Sequence, residues 1–176
     1  MKYTTMIRKM QFVCLTALCL SFSIMASAQR MQRKNYLKET DKEFFKTEEA
    51  RRIGNQVLLF QRVTGGWPKN IDMVSRLTDQ EREKVLKDKS RIDDSTIDNG
   101  ATTMQMLYLA RLYQGTKDKV YREAFQKALD YILSGQYENG GWPQYWPIKH
   151  SYHVAITFND NAIVNILEMF DDMKKS

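Results

Sequence analysis

Cysteine, proline and histidine are scarce in this sequence of 176 residues, which contains two, three and two of them. Both cysteines, Cys14 and Cys19, lie within the first 28 residues, so the remainder can form neither a disulfide nor a thiolate–metal site. No Gly-rich phosphate-binding loop and no nucleophile elbow occurs. No segment alternates apolar and polar residues with the period of a half-buried strand. The absence of this alternation favours an all-α fold.

The first 28 residues have the pattern of a cleaved secretory signal. Three basic residues precede an apolar run over residues 12–25, and the sequence ASA at residues 26–28 is the small-residue pattern that signal peptidases cleave. The apolar run is short for a transmembrane span, and Leu18 before Cys19 argues against a lipid anchor. We therefore predict a secreted or periplasmic bacterial protein with no membrane attachment after cleavage.

The net charge of +6 is partly that of the signal. Loss of Lys2, Arg8 and Lys9 leaves 24 basic and 21 acidic residues, a net charge of +3. A charge this small does not favour nucleic acid or a membrane surface as a partner, and it is compatible with an acidic substrate.

Five segments are predicted to be helices. Four have apolar residues at the spacings of three and four that are typical of amphipathic helices, and one, residues 78–89, is short and highly charged and is predicted from its capping box. The five segments are residues 47–62, 78–89, 101–115, 120–135 and 162–176. The second begins with a capping-box pattern, Thr78 to Glu81, and glycines follow or end several of the others. We divide the chain into a signal (residues 1–28), a polar leader (29–47) and one helical domain (48–176).

The sequence GGWP occurs twice, as GGWPKN at residues 65–70 and GGWPQYWP at residues 140–147. We call these the first and second GGWP loops. Each precedes a polar connection and an Asp/Asn-rich helix entrance, TIDNGA at residues 96–101 and TFNDNA at residues 157–162. Repeated helical hairpins predict a solenoid or an α/α toroid whose loops gather on one face. Two copies are few, so we expect an array that is incomplete at its C-terminal end.

The two helix entrances are rich in side-chain oxygens. Asp98 and Asp160 are each placed where a helix N-cap belongs, and capping is one interpretation of them. The other is a hard-cation site, because calcium prefers Asp, Asn, carbonyl and water oxygens. The Asp-x-Asp-x-Asp-Gly pattern of an EF-hand is absent. Both interpretations stay open from the residues alone.

The Trp-Pro loops also have two interpretations. Each indole can plug the end of a helical hairpin as part of the core, or it can stack on a sugar ring. Lys69, which follows Trp67-Pro68, is either a solvated lysine or a cation at such a surface. His150 and His153 lie in a polar loop with no third zinc ligand suggested by spacing, so an ordinary loop role is favoured.

Four segments together resemble the polysaccharide lyase family 10 pectate lyases. They are TGGWPKN (64–70), STIDNGATTMQMLYLARLY (95–113), NGGWPQYWP (139–147) and ITFNDNAIVNILEM (156–169). The resemblance implies a secreted enzyme that requires Ca²⁺ and cleaves polygalacturonate, or another pectin-derived acidic polysaccharide, by β-elimination on an α/α toroid.

The resemblance also implies roles for individual residues. Asp98 and Asp160 match aspartates that bind calcium, and Lys69 matches a lysine that contacts substrate. We add Trp67, Asn99 and Asn159 as predicted substrate contacts. The resemblance places the family's general-base arginine outside this chain, and no motif assigns that role to the arginines at positions 91, 111 and 122. An acidic-polysaccharide-binding helical repeat protein without catalysis is therefore the alternative.

Overall fold

The computed structural model describes residues 36–147 and 152–175, so the predicted signal, the first part of the polar leader (29–35) and His150 lie outside the described residues. It confirms the predicted all-α class. Its α-helices are α1 (Glu48–Phe60), α2 (Asp79–Asp88), α3 (Thr103–Thr116), α4 (Lys119–Ser134) and α5 (Ala162–Lys175). Within the described ranges, β-pairing is limited to two isolated bridges. None of the helices described there is long and apolar enough to span a bilayer.

Thr47 caps the N-terminus of helix α1, and its hydroxyl accepts a hydrogen bond from the Ala50 N–H at 3.2 Å. Ala50, Ile53, Val57 and Phe60 are buried, as their spacing predicts. Helix α2 has the predicted capping box, in which Thr78 and Glu81 exchange side-chain and backbone hydrogen bonds. Val85 is the buried residue of α2, so this helix lies on the surface.

Helix α3 differs from its predicted bounds at both ends. It begins at Thr103 because residues 98–100 form a separate 3₁₀ turn, and it continues through Gly115 to Thr116. A Cβ atom at position 115 would lie 2.6 Å from the carbonyl oxygen of Phe45. The glycine therefore permits close packing inside the helix and does not end it.

The predicted domain start at residue 48 is too late. Phe45, in the predicted polar leader, is 2% exposed. Its ring packs edge-to-face on Tyr108 of α3, with the ring centroids 5.3 Å apart. The charged residues around Phe45 hide this apolar contact in the sequence. The structure places residues Leu37–Ser176 in one compact unit.

The core lies between α1, α3, α4 and α5, with α3 packed against each of the other three. Its fully buried side chains come from every one of these helices: Ile53, Met106, Leu109, Leu112, Tyr121, Ile132, Ile166 and Met169. Helix α4 ends at the predicted Gly135, whose N–H bonds back to the last turn. This core supports both GGWP loops at helix ends.

The two GGWP loops have the same hydrogen bonds, so the sequence repeat is also a structural repeat. The indole N–H of Trp67 donates to the Val57 carbonyl at 2.9 Å, and that of Trp142 donates to the Ile132 carbonyl at 2.8 Å. Each tryptophan carbonyl then accepts from the first residue of a helix entrance, Thr96 N–H at 3.1 Å and Thr157 N–H at 3.0 Å. Each loop therefore fixes the entrance that follows it.

Candidate functional site

The two helix entrances pack against each other, and their central turns have the same conformation, although the residue that follows is extended in the first entrance (Ala101) and helical in the second (Ala162). Each contains a 3₁₀ turn with a left-handed residue at its centre, Asn99 (φ 53°, ψ 30°) in the first and Asp160 (φ 51°, ψ 31°) in the second. Asn and Asp adopt this region more readily than other non-glycine residues. Superposing the turns pairs Asp98 with Asn159, so the two candidate metal ligands occupy different positions in the repeat.

Asp98 does not cap a helix. Its Oδ1 accepts from the adjacent Asn99 N–H at 2.9 Å, and the structure shows no side-chain capping bond at the start of the 3₁₀ turn or of α3. The capping interpretation is therefore wrong for Asp98. The second entrance likewise has no side-chain cap at its 3₁₀ turn.

Asp98 is instead the centre of a buried polar cluster. Its side chain is 2% exposed, and its Oδ2 accepts hydrogen bonds from the Lys69 ammonium and from the Gln144 amide. Lys69 belongs to the first GGWP loop and Gln144 to the second. The cluster therefore joins both loops to the first entrance, and its Lys69 side chain is half-buried.

Burial raises the pKa of the Asp98 carboxyl. The hydrogen bonds from Lys69 and Gln144, together with the Lys69 charge, lower the pKa by more than burial raises it, so the pKa lies below its usual value. Asp160 lies close enough to lower the pKa of this carboxyl as well. The pKa of Lys69 is raised, chiefly by its bond to Asp98. The pair is therefore a carboxylate and an ammonium at neutral pH.

Three residues that the sequence did not predict for the site belong to this cluster. Gln144 is one. Tyr145 places its ring 5.6 Å from the Lys69 nitrogen, a cation–π distance. His153 lies 2.6 Å through Nδ1 from Gln144 Oε1 and packs edge-on against Tyr145 at 4.8 Å. Gln144 and Tyr145 directly follow Trp142-Pro143, and this position was a signal, since Lys69 directly follows Trp67-Pro68.

Trp67 does not belong to the site. Its side chain is 0% exposed, so no face of the indole is open to a sugar ring. The core interpretation holds for Trp67 and for Trp142, which is 4% exposed. We therefore withdraw Trp67 as a predicted substrate contact.

The other predicted residues lie at the rim of the cluster. Asn99 is exposed and its side-chain amide donates to Asn70 Oδ1 at 3.2 Å. Asn159 and Asp160 are exposed on the second entrance. The structure thus brings Lys69, Asp98 and Asp160 together and places Asn99 and Asn159 beside them.

Comparisons with known proteins agree with this arrangement. The family model described as pectic acid lyase matches residues 61–176. The chain belongs to the pectic acid lyase family. Two solved structures of a family 10 polysaccharide lyase from Cellvibrio cellulosa are similar to it at 30% identity, with TM-scores of 0.61 and 0.60. The former is a mutant in complex with trigalacturonic acid.

Each comparison with the Cellvibrio lyase covers 80% of this chain and 38% of that one. The chain thus spans well under half the length of those structures. A search of curated protein sequences finds no match.

The site of this pectic acid lyase family member offers oxygen ligands of the kind that calcium prefers. Asp98 Oδ1 accepts one N–H and retains coordinating capacity, and the exposed Asp160 carboxyl lies within interaction range of Asp98. Among the residues that the structure describes, no three His, Cys, Asp or Glu side chains gather as a metal site. Asp98 and Asp160 therefore fit a hard cation whose remaining ligands are water, amide oxygens or the oxygens of a bound ligand.

Three of the described arginines have partners away from the cluster. Arg62 forms a buried bidentate ion pair with Asp94, with N–O distances of 2.8 and 2.9 Å. Arg91 pairs with Asp93, and Arg111 donates to the Glu39 carbonyl at 3.1 Å. Within residues 36–147 and 152–175, no arginine hydrogen-bonds to Asp98, Lys69 or Gln144.

Proposed function

We propose that the site serves the calcium-dependent β-elimination of polygalacturonate, with Lys69 binding a uronate carboxylate and Asp98 and Asp160 holding calcium. The convergence of Lys69 and Gln144 on the buried Asp98 carries this proposal. An ammonium held by a carboxylate, beside a second carboxylate, provides alternating charge at one surface. That pattern suits a polyanion bound together with a divalent cation.

The residues present account for binding and activation in this reaction. The Lys69 ammonium would bind one carboxylate of the polymer, and Asn99 and Asn159 would donate hydrogen bonds to uronate oxygens. Asp98 and Asp160 would hold calcium beside a uronate carboxylate, where the ion would supply the electron withdrawal that makes the C5 proton of that sugar acidic. Family membership and the trigalacturonic acid complex of the Cellvibrio lyase support the choice of substrate.

Binding of an acidic polysaccharide without cleavage is the second candidate function. The described arginines favour it, because those in ion pairs contact Glu48, Glu49, Asp93, Asp94 and Asp172 and not the cluster. Under this alternative, the same Lys69 and Asp98 bind the polymer and no group removes the proton.

The two functions differ in product and not in affinity. Purified, folded protein is mixed with polygalacturonate and calcium at alkaline pH, and the ultraviolet absorbance of the unsaturated product is followed. Product formation that Asp98→Ala abolishes supports the lyase. Calcium-dependent binding without product selects the second function, and neither binding nor product from folded protein contradicts both.

A further inference from the structure

The backbone of Gln144 is fixed directly beside Asp98. Its carbonyl accepts a hydrogen bond from the Thr96 hydroxyl at 2.5 Å and from the Ile97 N–H at 3.2 Å. These two residues immediately precede Asp98 in the first entrance. Gln144 is also 8% exposed. With its backbone held in place, the Gln144 side-chain amide can still rotate, and its orientation decides which of its atoms faces Asp98.

The hydrogen bonds define that orientation. A carboxylate accepts and cannot donate, so the Gln144 Nε2 group must face Asp98 and Oε1 must face away. Oε1 lies 2.6 Å from Nδ1 of His153. Because Oε1 also only accepts, the proton of this bond belongs to Nδ1 of the imidazole.

The imidazole is itself held between aromatic rings. Its centroid is 3.9 Å from that of Tyr152 and 4.8 Å from that of Tyr145. The Tyr145 ring also contacts the Lys69 ammonium at 5.6 Å. His153 is therefore connected to the Lys69–Asp98 pair by two routes, through the Gln144 amide and through the Tyr145 ring.

We infer that His153 is a positioning residue, which through Gln144 holds the Asp98 carboxylate in place beside Lys69. The Nδ1–H of His153 fixes the amide, and the fixed amide directs its N–H to Asp98 Oδ2. Without His153 the amide gains rotational freedom and Asp98 loses a fixed donor. The effect on ligand binding rests on the proposed function, whereas the hydrogen-bond relay itself does not.

Affinity for trigalacturonate in calcium is the first test. We expect His153→Ala to weaken binding about tenfold, as loss of a group that orients a ligand typically does. His153→Asn restores most of the affinity, because its side-chain N–H₂ stands near the position of Nδ1. Tyr137→Phe is the matched control, since it removes a bond from Tyr137 to the Val154 carbonyl in the same loop but lies outside the relay. Wild-type affinity in His153→Ala overturns the inference.

The tautomer of His153 is the second test, and it needs no ligand. Long-range ¹⁵N–¹H correlation spectra at alkaline pH are expected to show protonated Nδ1 and bare Nε2, with the Nδ1 signal shifting in Gln144→Ala. A protonated Nε2 with bare Nδ1 overturns the relay. If the wild-type protein fails to bind trigalacturonate, the proposed function fails, and this spectrum alone decides the relay.

Discussion

Lys69 and Gln144 occupy the same position in the two GGWP loops, and both donate a hydrogen bond to Oδ2 of Asp98. Each is the second residue after its buried tryptophan. The repeat therefore directs two equivalent side chains to one carboxylate. Lys69 is a cation and Gln144 is neutral, so of these two donors only the one from the first loop is charged.

Replacing Lys69 with Gln makes the two loops alike at this position. The variant keeps a hydrogen-bond donor for Asp98 but loses the positive charge. We expect the affinity for trigalacturonate to fall about tenfold or more, the usual loss for a charge-assisted contact. Isothermal titration calorimetry measures it. Lys84→Gln, on the exposed face of α2, is the control, and equal effects of the two variants would refute a specific role for Lys69.

Gly65 and Gly140 provide a matched pair for stability. Both have positive φ, 97° and 86°, but a Cβ at position 65 would lie 2.2 Å from the Lys127 carbonyl oxygen, whereas one at position 140 has nothing within 4 Å. We expect Gly65→Ala to cost about 3–5 kcal/mol and Gly140→Ala about 1–2 kcal/mol. Urea unfolding gives both values. Similar losses for the two would show that the contact with α4 does not matter.

Trp67→Phe separates the core role of this residue from the sugar-binding role. The change removes the bond to the Val57 carbonyl and leaves a partly filled space, so we expect a loss of about 2–4 kcal/mol in unfolding free energy. The affinity of the folded variant for trigalacturonate stays within about twofold, a difference below 0.5 kcal/mol. A large loss of affinity with unchanged stability would restore Trp67 to the site.

Calcium is expected to raise the melting temperature of the wild-type protein, because a ligand that binds the folded state stabilises it. Asp160→Asn removes one of the two proposed carboxylate ligands at an exposed position. We therefore expect nearly unchanged stability without calcium and a loss of most of the calcium-induced shift. Differential scanning fluorimetry with calcium or a chelator measures both. Asp130→Asn, on α4, is the control, and a full calcium shift in Asp160→Asn would exclude Asp160 as a ligand.

The helices could be predicted from the sequence because their apolar spacing and end signals are local. Thr47 and the capping box from Thr78 to Glu81 mark helix starts in the sequence and in the structure. The role of Gly115 was predicted wrongly because the glycine serves a tertiary contact, the close approach of the Phe45 backbone, and does not end the helix. Phe45 was hidden for the same reason, since a single aromatic among charged residues carries no periodicity.

The candidate site could be predicted only in part. Lys69, Asp98 and Asp160 stand in recognisable motifs, and the structure gathers them. Gln144 and His153 join through contacts between residues 46 and nine positions apart, which no local pattern reveals. The burial of Trp67 likewise depends on packing. The sequence indicates that the indole belongs to a loop, but it does not indicate whether the ring is exposed.

The central claim is that Lys69 and Asp98 form a calcium-dependent site for an oligogalacturonate. Calorimetric titration of trigalacturonate into wild-type protein and into Asp98→Asn, each with calcium and with a chelator, tests it most directly. Circular dichroism first establishes that both proteins are folded. We predict binding to the wild-type protein that requires calcium and that Asp98→Asn lacks. Equal binding by the two folded proteins, or none by the folded wild type, would contradict the account.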